Sequence, residues 1–218
     1  MKAMGFSLGE IQEHMKNYTI DTSIVALRKQ LTVLDQQITH LQLVRNRLAH
    51  RCRQMENVKA FHEQNQEVTI KEVPERYLLY AGVEAPRSFR EISIATKKCF
   101  SQALRDELPL FFQTGVIVPY EHILQGRYTE ASIAFLPIEK TDKAQNIRLL
   151  PKGRAACIYH CGTYLSEDTS YQKLLRFCEE HRLEILSDAH EFCINDYISS
   201  GDENEYITEI FFYIREKA

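Results

Sequence analysis

The stretch EYITEIFFYI at residues 205–214 alternates between two kinds of side chain and predicts a long β-strand near the end of the chain. One row of this strand is wholly apolar and is the better candidate for the core: Ile210, Phe212 and Ile214. The other row sets a carboxylate among aromatic rings: Glu209, Phe211 and Tyr213. The strand therefore has one face suited to packing and one suited to binding.

The segment HEFCINDY at residues 190–197 predicts a neighbouring strand with the same division. Glu191 and Cys193 share one face, and Phe192 and Ile194 share the other. If the row of Phe192 joins the core, Glu191 and Glu209 meet on the opposite face. A carboxylate held among aromatic rings attracts a lipophilic cation through its charge and through the ring faces. The two strands therefore predict a ligand site.

Between residues 68 and 214, predicted strands and helices occur in the same order twice. The first copy has predicted strands at 68–73, 76–83, 111–120 and 128–138 and a helix at 88–108. The second copy has predicted strands at 154–164, 183–197 and 205–214 and a helix at 168–182. This order predicts an α+β fold with a duplicated β-α-β-β unit and antiparallel sheets. Small-molecule sites favour the cleft where two such halves meet.

Ahead of these units, a long helix is predicted from Asp21 to Gln66, a span without Gly or Pro. Its apolar residues recur at spacings of three and four, with Arg45 in the one skipped position: Ile24, Leu27, Leu31, Leu34, Ile38, Leu41, Leu48, Cys52 and Met55. A helix of about 40 residues is about 60 Å long, too long to bury a narrow seam in a domain of this size. The pattern predicts a coiled-coil homodimer, and the alternative is a helix that lies along its own domain.

The composition is typical of a globular protein without a membrane span. Hydrophobic residues make up 44% of the 218 residues and charged residues 26%, and no apolar run approaches the roughly 20 residues that a span needs. The chain shows no secretory signal pattern, which predicts a cytoplasmic location without a membrane partner. The six cysteines lack framework spacing and are predicted to be reduced. Cys157 and Cys161 would lie about 13 Å apart on a strand, so we predict no metal and no other cofactor.

The charge is unevenly distributed along the chain. Residues 1–62 hold nine Lys and Arg against five Asp and Glu, whereas residues 63–218 hold 18 against 25. A basic N-terminal part and an acidic C-terminal part predict different partners for the two parts. The acidic excess after Leu183 fits either a solvated edge or a site that prefers cations.

Two groups of segments resemble known families. KAMGFSLGEIQEHM at residues 2–15, followed directly by the heptad helix, resembles the end of the winged-helix domain and the dimerisation helix of MerR-family transcription regulators. CGTY at 161–164, HEFCINDY at 190–197 and YITEIFFYI at 206–214 are similar to a GyrI-like effector-binding domain of the SHS2 type, found in the multidrug-responsive branch of that family. The order of these parts is the specific signal.

The resemblance implies three parts of the chain. They are a remnant of the winged-helix DNA-binding domain at 1–19, a dimerisation coiled coil at 20–64 and an effector-binding domain at 65–218. Most of the winged-helix domain, including the helix that enters the major groove, is then expected to be lacking. Promoter DNA is an expected partner only where that region is present.

The resemblance also implies which residues bind the effector. The cleft glutamates of the GyrI-like family match Glu191 and Glu209, with Cys193, Phe211 and Tyr213 beside them. Further aromatic candidates, for which core packing is the alternative, are Tyr77, Phe112, Tyr159 and Tyr164.

The resemblance implies a transcription regulator that senses a small, lipophilic cation and has no enzymatic activity. Two alternatives stay open. One is a stand-alone ligand-binding or inhibitor protein. The other is a small-molecule hydrolase in which Glu191 acts as the base that polarises a water molecule.

Overall fold

The chain divides into two compact units, Met1–Cys52 and Arg53–Ala218. The computed structural model describes residues 1–16, 19–63, 67–108, 111, 113–197 and 199–217. The helices are α1 (Leu8–Lys16), α2 (Ile20–Glu63), α3 (Phe89–Arg105), α4 (Tyr120–Leu124) and α5 (Asp168–Glu180). The strands are β1 (Thr69–Val73), β2 (Arg76–Gly82), β3 (Gly115–Val118), β4 (Ile133–Ile138), β5 (Ile147–Leu150), β6 (Gly153–Cys161), β7 (Leu183–Ile185), β8 (Ala189–Asn195) and β9 (Ile207–Glu216). Within those described ranges, no helix is long and apolar enough to cross a membrane.

The first unit contains α1 and most of α2. A capping box begins α1: the Ser7 amide donates to Glu10 Oε2 at 2.9 Å, and the Glu10 amide donates to Ser7 Oγ at 3.3 Å. The predicted long helix is confirmed, since α2 runs for 44 residues. Its seam side chains are exposed in the single chain, from 37% at Leu34 to 64% at Leu41. One helix therefore carries an apolar stripe along its surface, interrupted at Arg45.

The second unit is built on one β-sheet, in which the described strands follow the order β1-β6-β9-β8-β3-β4-β2-β5, with β7 also paired to β9. Every pairing is antiparallel, as predicted. Strands from both predicted copies join this one sheet, and β8 and β3 meet at its centre. The two predicted copies thus meet at the middle of the sheet through β3 and β8, and again towards one edge, where β1 pairs with β6.

The two faces of the sheet bury different cores. On one face, α3 packs against β2 and β4, and α5 packs against β6, β7 and β9. The core beneath α5 is large and apolar, and includes Ile158, Tyr171, Leu174, Ile210 and Phe212. The other face curls into a half-barrel, so that Val73 of β1 and Leu150 of β5 contribute to the same cluster as Phe135, Phe192 and Phe211. The helix-covered face and the half-barrel interior are therefore separate environments.

Two short elements were not predicted, and one predicted strand was wrong. The chain between the two predicted copies contains β5, and a short helix, α4, follows β3. The single strand predicted at 183–197 is interrupted: the Ser187 hydroxyl accepts a hydrogen bond from the Tyr213 amide at 3.0 Å, and the Asp188 carboxylate accepts one from the Tyr120 amide at 2.9 Å. Because these side chains take over backbone donors, the strand separates into β7 and β8.

The centre of the sheet is tightly packed around Gly115. A Cβ atom at Gly115 would lie 2.2 Å from Phe135 Cζ and 2.4 Å from the Glu191 carbonyl oxygen. We expect Gly115→Ala to lower the free energy of unfolding by about 1–3 kcal/mol, the usual cost of overpacking, as measured by urea unfolding. Gly82→Ala is the matched control, since a Cβ there meets no atom within 4 Å. Equal stability of the two variants would contradict this account of the packing.

Candidate functional site

A cavity of about 270 Å³ opens between α3 and the start of α5, above the central strands β3 and β8. The α3 side of the cavity is lined by Phe89, Ile92, Ser93 and Thr96. The central strands contribute Val116, Val118, Glu191 and Cys193. The turn before α5 and two loops contribute Tyr164, Glu167, Tyr128 and Tyr197. The walls are therefore mostly apolar and aromatic, and two carboxyl groups lie among them.

Glu191 is buried on the helix-covered face of the sheet, because β8 pairs it with Val116 of β3 and Ile210 of β9. Its carboxylate accepts a hydrogen bond from the hydroxyl of Tyr171, a fully buried residue of α5. The Tyr171 ring stacks on Tyr128 with a centroid distance of 5.3 Å. Burial raises the pKa of Glu191 to about 7, although the Tyr171 hydrogen bond opposes the shift.

Glu167 is a second buried carboxyl group in the same cavity. It precedes α5, and the Tyr171 amide donates to its carbonyl oxygen at 3.0 Å, so the two side chains lie one helical turn apart. Glu167 is 2% exposed, and its Oε1 atom has no hydrogen-bond partner in the part of the chain that the structure describes. Burial and the charge of Glu191 raise the pKa of Glu167 well above its ordinary value.

The Thr208 hydroxyl only partly offsets the cost of burying the Glu167 carboxyl group. It lies close enough to Glu167 to favour the charged form slightly, but it does not meet hydrogen-bond geometry with that carboxyl group. Sequence analysis did not identify Glu167 as a site residue. The signal that could have found it is the spacing of four residues between Glu167 and Tyr171, which places both at the sheet-facing side of a helix start.

The cavity lining contains no Lys, Arg or His among the described residues. Two carboxyl groups in an apolar enclosure are costly to ionise without a positive charge nearby. An aromatic wall also favours a cation through the ring faces. The arrangement is thus electrostatically suited to an apolar ligand that carries positive charge.

Three of the predicted site residues, Glu191, Cys193 and Tyr164, line this cavity. The Tyr164 hydroxyl lies 3.9 Å from Cys193 Sγ. The prediction that Glu191 and Glu209 share a face is wrong, because β9 pairs Glu209 with Phe192 and not with Glu191. Cross-strand partners project to the same face, so Glu209 belongs to the half-barrel side. Phe211 and Tyr213 belong to the half-barrel cluster as well.

Glu209 forms an ion cluster inside the half-barrel. It accepts hydrogen bonds from the Lys71 ammonium and from the Tyr159 hydroxyl, the latter at 3.3 Å, and Arg76 Nη1 lies 3.8 Å from its carboxylate. Burial alone would lower the pKa of Lys71, but the Glu209 carboxylate raises it above its ordinary value. The Arg76 guanidinium also lies over the Phe192 ring, 4.5 Å from its centroid. Neighbouring cations therefore neutralise this carboxylate.

The remaining predicted residues lie elsewhere. Tyr159 belongs to the Glu209 cluster, and Tyr77 packs beside Leu79 and Cys99 beneath α3. Phe112 lies outside the described residues. The binding roles of all these side chains stay predictions. Over the described ranges, no group of three or more His, Cys, Asp or Glu side chains is arranged to hold a metal ion.

The family model described as GyrI-like small molecule binding domain matches residues 66–215. The chain belongs to this family. A comparison with the curated proteins finds no match.

Solved structures share the fold of this GyrI-like chain. The EcmrR C-terminal domain is 18% identical, with a TM-score of 0.59 over 69% of this chain and 98% of that chain. The EcmrR–DNA complex in EcmrR-RPo is 17% identical, with a TM-score of 0.58 over 99% of this chain and 80% of that chain. An uncharacterised conserved protein from Listeria innocua is 12% identical, with a TM-score of 0.50 over 72% of this chain and 96% of that chain. At these identities the likeness concerns the fold alone.

The raised pKa of Glu191 predicts a specific pH dependence of stability. The pKa is 4.5 in the reference state and about 7 in the folded protein, so the folded state binds more protons over this interval and stability falls as pH rises. We expect Glu191 to contribute a loss of about 2–3 kcal/mol between about pH 5 and pH 8.

Glu191→Gln lacks this contribution. Urea unfolding of both proteins across this pH range should therefore give a shallower decline for the variant, while Glu167 affects both in the same direction. Parallel stability profiles for the two proteins would show that Glu191 is not held in a shifted state.

Proposed function

We propose that this chain is the effector-binding and dimerisation part of a ligand-responsive transcription regulator, and that its effector is a small, lipophilic cation. One observation carries the proposal: an apolar, aromatic cavity contains two buried carboxyl groups and no positive side chain among the described residues. The membership of the GyrI-like small molecule binding domain family supports a role in binding small molecules.

Glu191 is the proposed primary contact of the cation. Its carboxylate lies at the cavity floor and is oriented by the Tyr171 hydroxyl. In a low-dielectric enclosure, a nearby cation offsets the cost of ionising this group, and this gain is absent for a neutral ligand of the same shape. Tyr164, Tyr128 and Phe89 supply ring surface for the apolar part of the ligand.

The regulatory part of the proposal is supported by fold. The chain is similar over 99% of its length to a protein in an EcmrR–DNA complex, and residues 2–15 with α2 resemble the end of a MerR-type winged-helix domain and its dimerisation helix. We propose promoter DNA as a partner where a DNA-reading region is present. Regulation then needs only a ligand that binds one arrangement of the dimer better than another, by roughly 1–3 kcal/mol.

The exposed seam of α2 is the proposed dimer contact. Its stripe of Leu and Ile side chains follows a heptad spacing, which suits a second copy of the same helix better than a wide globular surface. We propose an antiparallel homodimer. In a parallel, in-register pair Arg45 would face Arg45 of the second copy on the seam, which like-charge repulsion disfavours.

Calorimetric titration with tetraphenylphosphonium, a permanent lipophilic cation, tests the ligand class. We expect binding in the micromolar range, and we expect Glu191→Gln to weaken it at least roughly tenfold, since the charged partner of the cation is lost. Glu209→Gln is the matched control, because it changes a buried glutamate on the other face of the same sheet. An affinity indifferent to Glu191, or reduced only by Glu209→Gln, would contradict the assigned site.

Light scattering coupled to gel filtration tests the dimer. Leu41→Glu places a charge in the middle of the seam, and we expect it to reduce the measured mass from that of two chains to that of one. Leu43→Glu lies two residues away on the opposite side of the helix and is 40% exposed, so we expect it to leave the dimer intact. A dimer that resists Leu41→Glu would exclude the seam as the contact.

A small-molecule hydrolase is the second candidate. The observation that favours it is the raised pKa of Glu191, which lets this carboxyl group accept a proton near neutral pH with the Tyr171 hydroxyl beside it. Turnover of small electrophiles that is lost in Glu191→Gln would favour this candidate over the regulator.

A further inference from the structure

The cavity holds one carboxyl group more than a monocation needs. Glu191 has a hydrogen-bond donor in Tyr171, whereas Glu167 is equally buried and its Oε1 atom has no partner in the described structure. A buried carboxylate without a donor or a counter-charge is strongly disfavoured in its ionised form. The second carboxyl group therefore calls for an explanation beyond ligand attraction.

We infer that Glu167 and Glu191 form a proton-exchange pair that holds one shared proton in the empty cavity and releases it to solvent when a cation binds. This inference rests on the proposed function, because the same cavity must take the cation. It assigns Glu167 a role in setting how affinity depends on pH.

The exchange keeps the charge of the cavity constant. Before binding, one carboxyl group is protonated and the other is ionised, so the pair carries one negative charge. After binding, both are ionised and the ligand contributes one positive charge, so the net charge is again one negative. The proton leaves to solvent, no covalent bond of the ligand changes, and the positive charge of the ligand replaces that of the proton. Two like charges in a low-dielectric site cannot both ionise cheaply without this replacement.

Within the described part of the chain, the residues that line the cavity around the pair carry no positive charge. From the α5 side Tyr171 and Tyr164 face the pair, and from the loop before β4 Tyr128 stacks on Tyr171. β8 contributes Cys193 and the nearby Asp196, and β9 contributes the Thr208 hydroxyl. The residues of α3 that line the cavity are Phe89, Ile92, Ser93 and Thr96, none of which titrates.

β6 contributes His160, the cross-strand partner of Thr208, whose ring nitrogens lie within hydrogen-bond distance of Ser170 Oγ at 2.9 Å and the Thr163 carbonyl oxygen at 3.0 Å. Burial lowers the pKa of His160, so this imidazole is neutral at about pH 8. Among these described neighbours, none therefore supplies a positive charge to the pair.

The pair and a single carboxyl group make different predictions at alkaline pH. A lone Glu191 with a pKa of about 7 is already mostly ionised at about pH 8, so binding would release close to no proton. A pair with one shared proton still holds it at that pH and releases about one. Its affinity for the cation therefore keeps rising above neutrality, by up to about tenfold per pH unit.

The experiment is calorimetric titration of the full chain with tetraphenylphosphonium at about pH 8, in two buffers of different ionisation enthalpy. The difference in apparent heat gives the number of protons released, and this ligand has no proton of its own. We expect release of about one proton from the unmodified chain. Glu167→Gln should still bind but release close to none, and Glu180→Gln, an exposed carboxylate on α5, should behave like the unmodified chain.

The outcomes separate the two proposals. Binding that depends on Glu191 without proton release overturns the exchange pair and leaves the cation site standing. Unchanged release in Glu167→Gln overturns the role of Glu167. If tetraphenylphosphonium does not bind, both proposals fail. Carbon NMR of labelled glutamate carboxyls in the unliganded chain provides a check without substitutions: a pair requires one carboxyl group to remain protonated at about pH 8, and its absence overturns the inference.

Discussion

The hydrogen bond from the Tyr171 hydroxyl to the Glu191 carboxylate is the interaction on which this domain depends. Both groups are buried, so each satisfies a polar atom that would otherwise be costly within the apolar core. It joins the first turns of α5 to a central strand of the sheet. Because α3 packs mainly on β2 and β4 and α5 packs mainly on β6, β7 and β9, the central strands β3 and β8 lie between the two helices. The cavity is therefore a direct consequence of how the two helices are attached.

Two buried glutamates on adjacent strands illustrate how partners determine the role of a residue type. Glu209 meets Lys71 and lies near Arg76, so its charge is neutralised and it joins the half-barrel as part of an ion cluster. Glu191 meets a phenol, which satisfies its hydrogen bonding but leaves its charge uncompensated. A ligand can improve the electrostatics only at the second site. The difference follows from the register of one strand pairing, in which Glu209 lies opposite Phe192.

Long periodic segments could be predicted from the sequence, whereas short ones could not. The helix α2 and the strand β9 each repeat one period over many residues, so their patterns are clear. The four-residue strand β5 and the five-residue helix α4 are too short to establish a period. Alternation along β8 and β9 correctly separates the residues of each strand into two rows. It does not say how those rows pair between strands, which depends on a register that is set elsewhere and shifts between Cys193 and Asn195.

The same limit explains the site. Glu191 could be predicted as a site residue because its strand has a clear sequence pattern. Glu167 could not, because it comes near Glu191 only when the first turn of α5 packs onto the sheet. Burial of both carboxyl groups costs the folded chain stability whenever they ionise. A cation that enters the cavity offsets part of that cost through its charge, whereas a neutral molecule of the same shape makes only apolar contacts. The two carboxyl groups that destabilise the empty cavity are thus the groups that favour a charged ligand over a neutral one. Selectivity for cations therefore follows from the cost of burying these carboxyl groups.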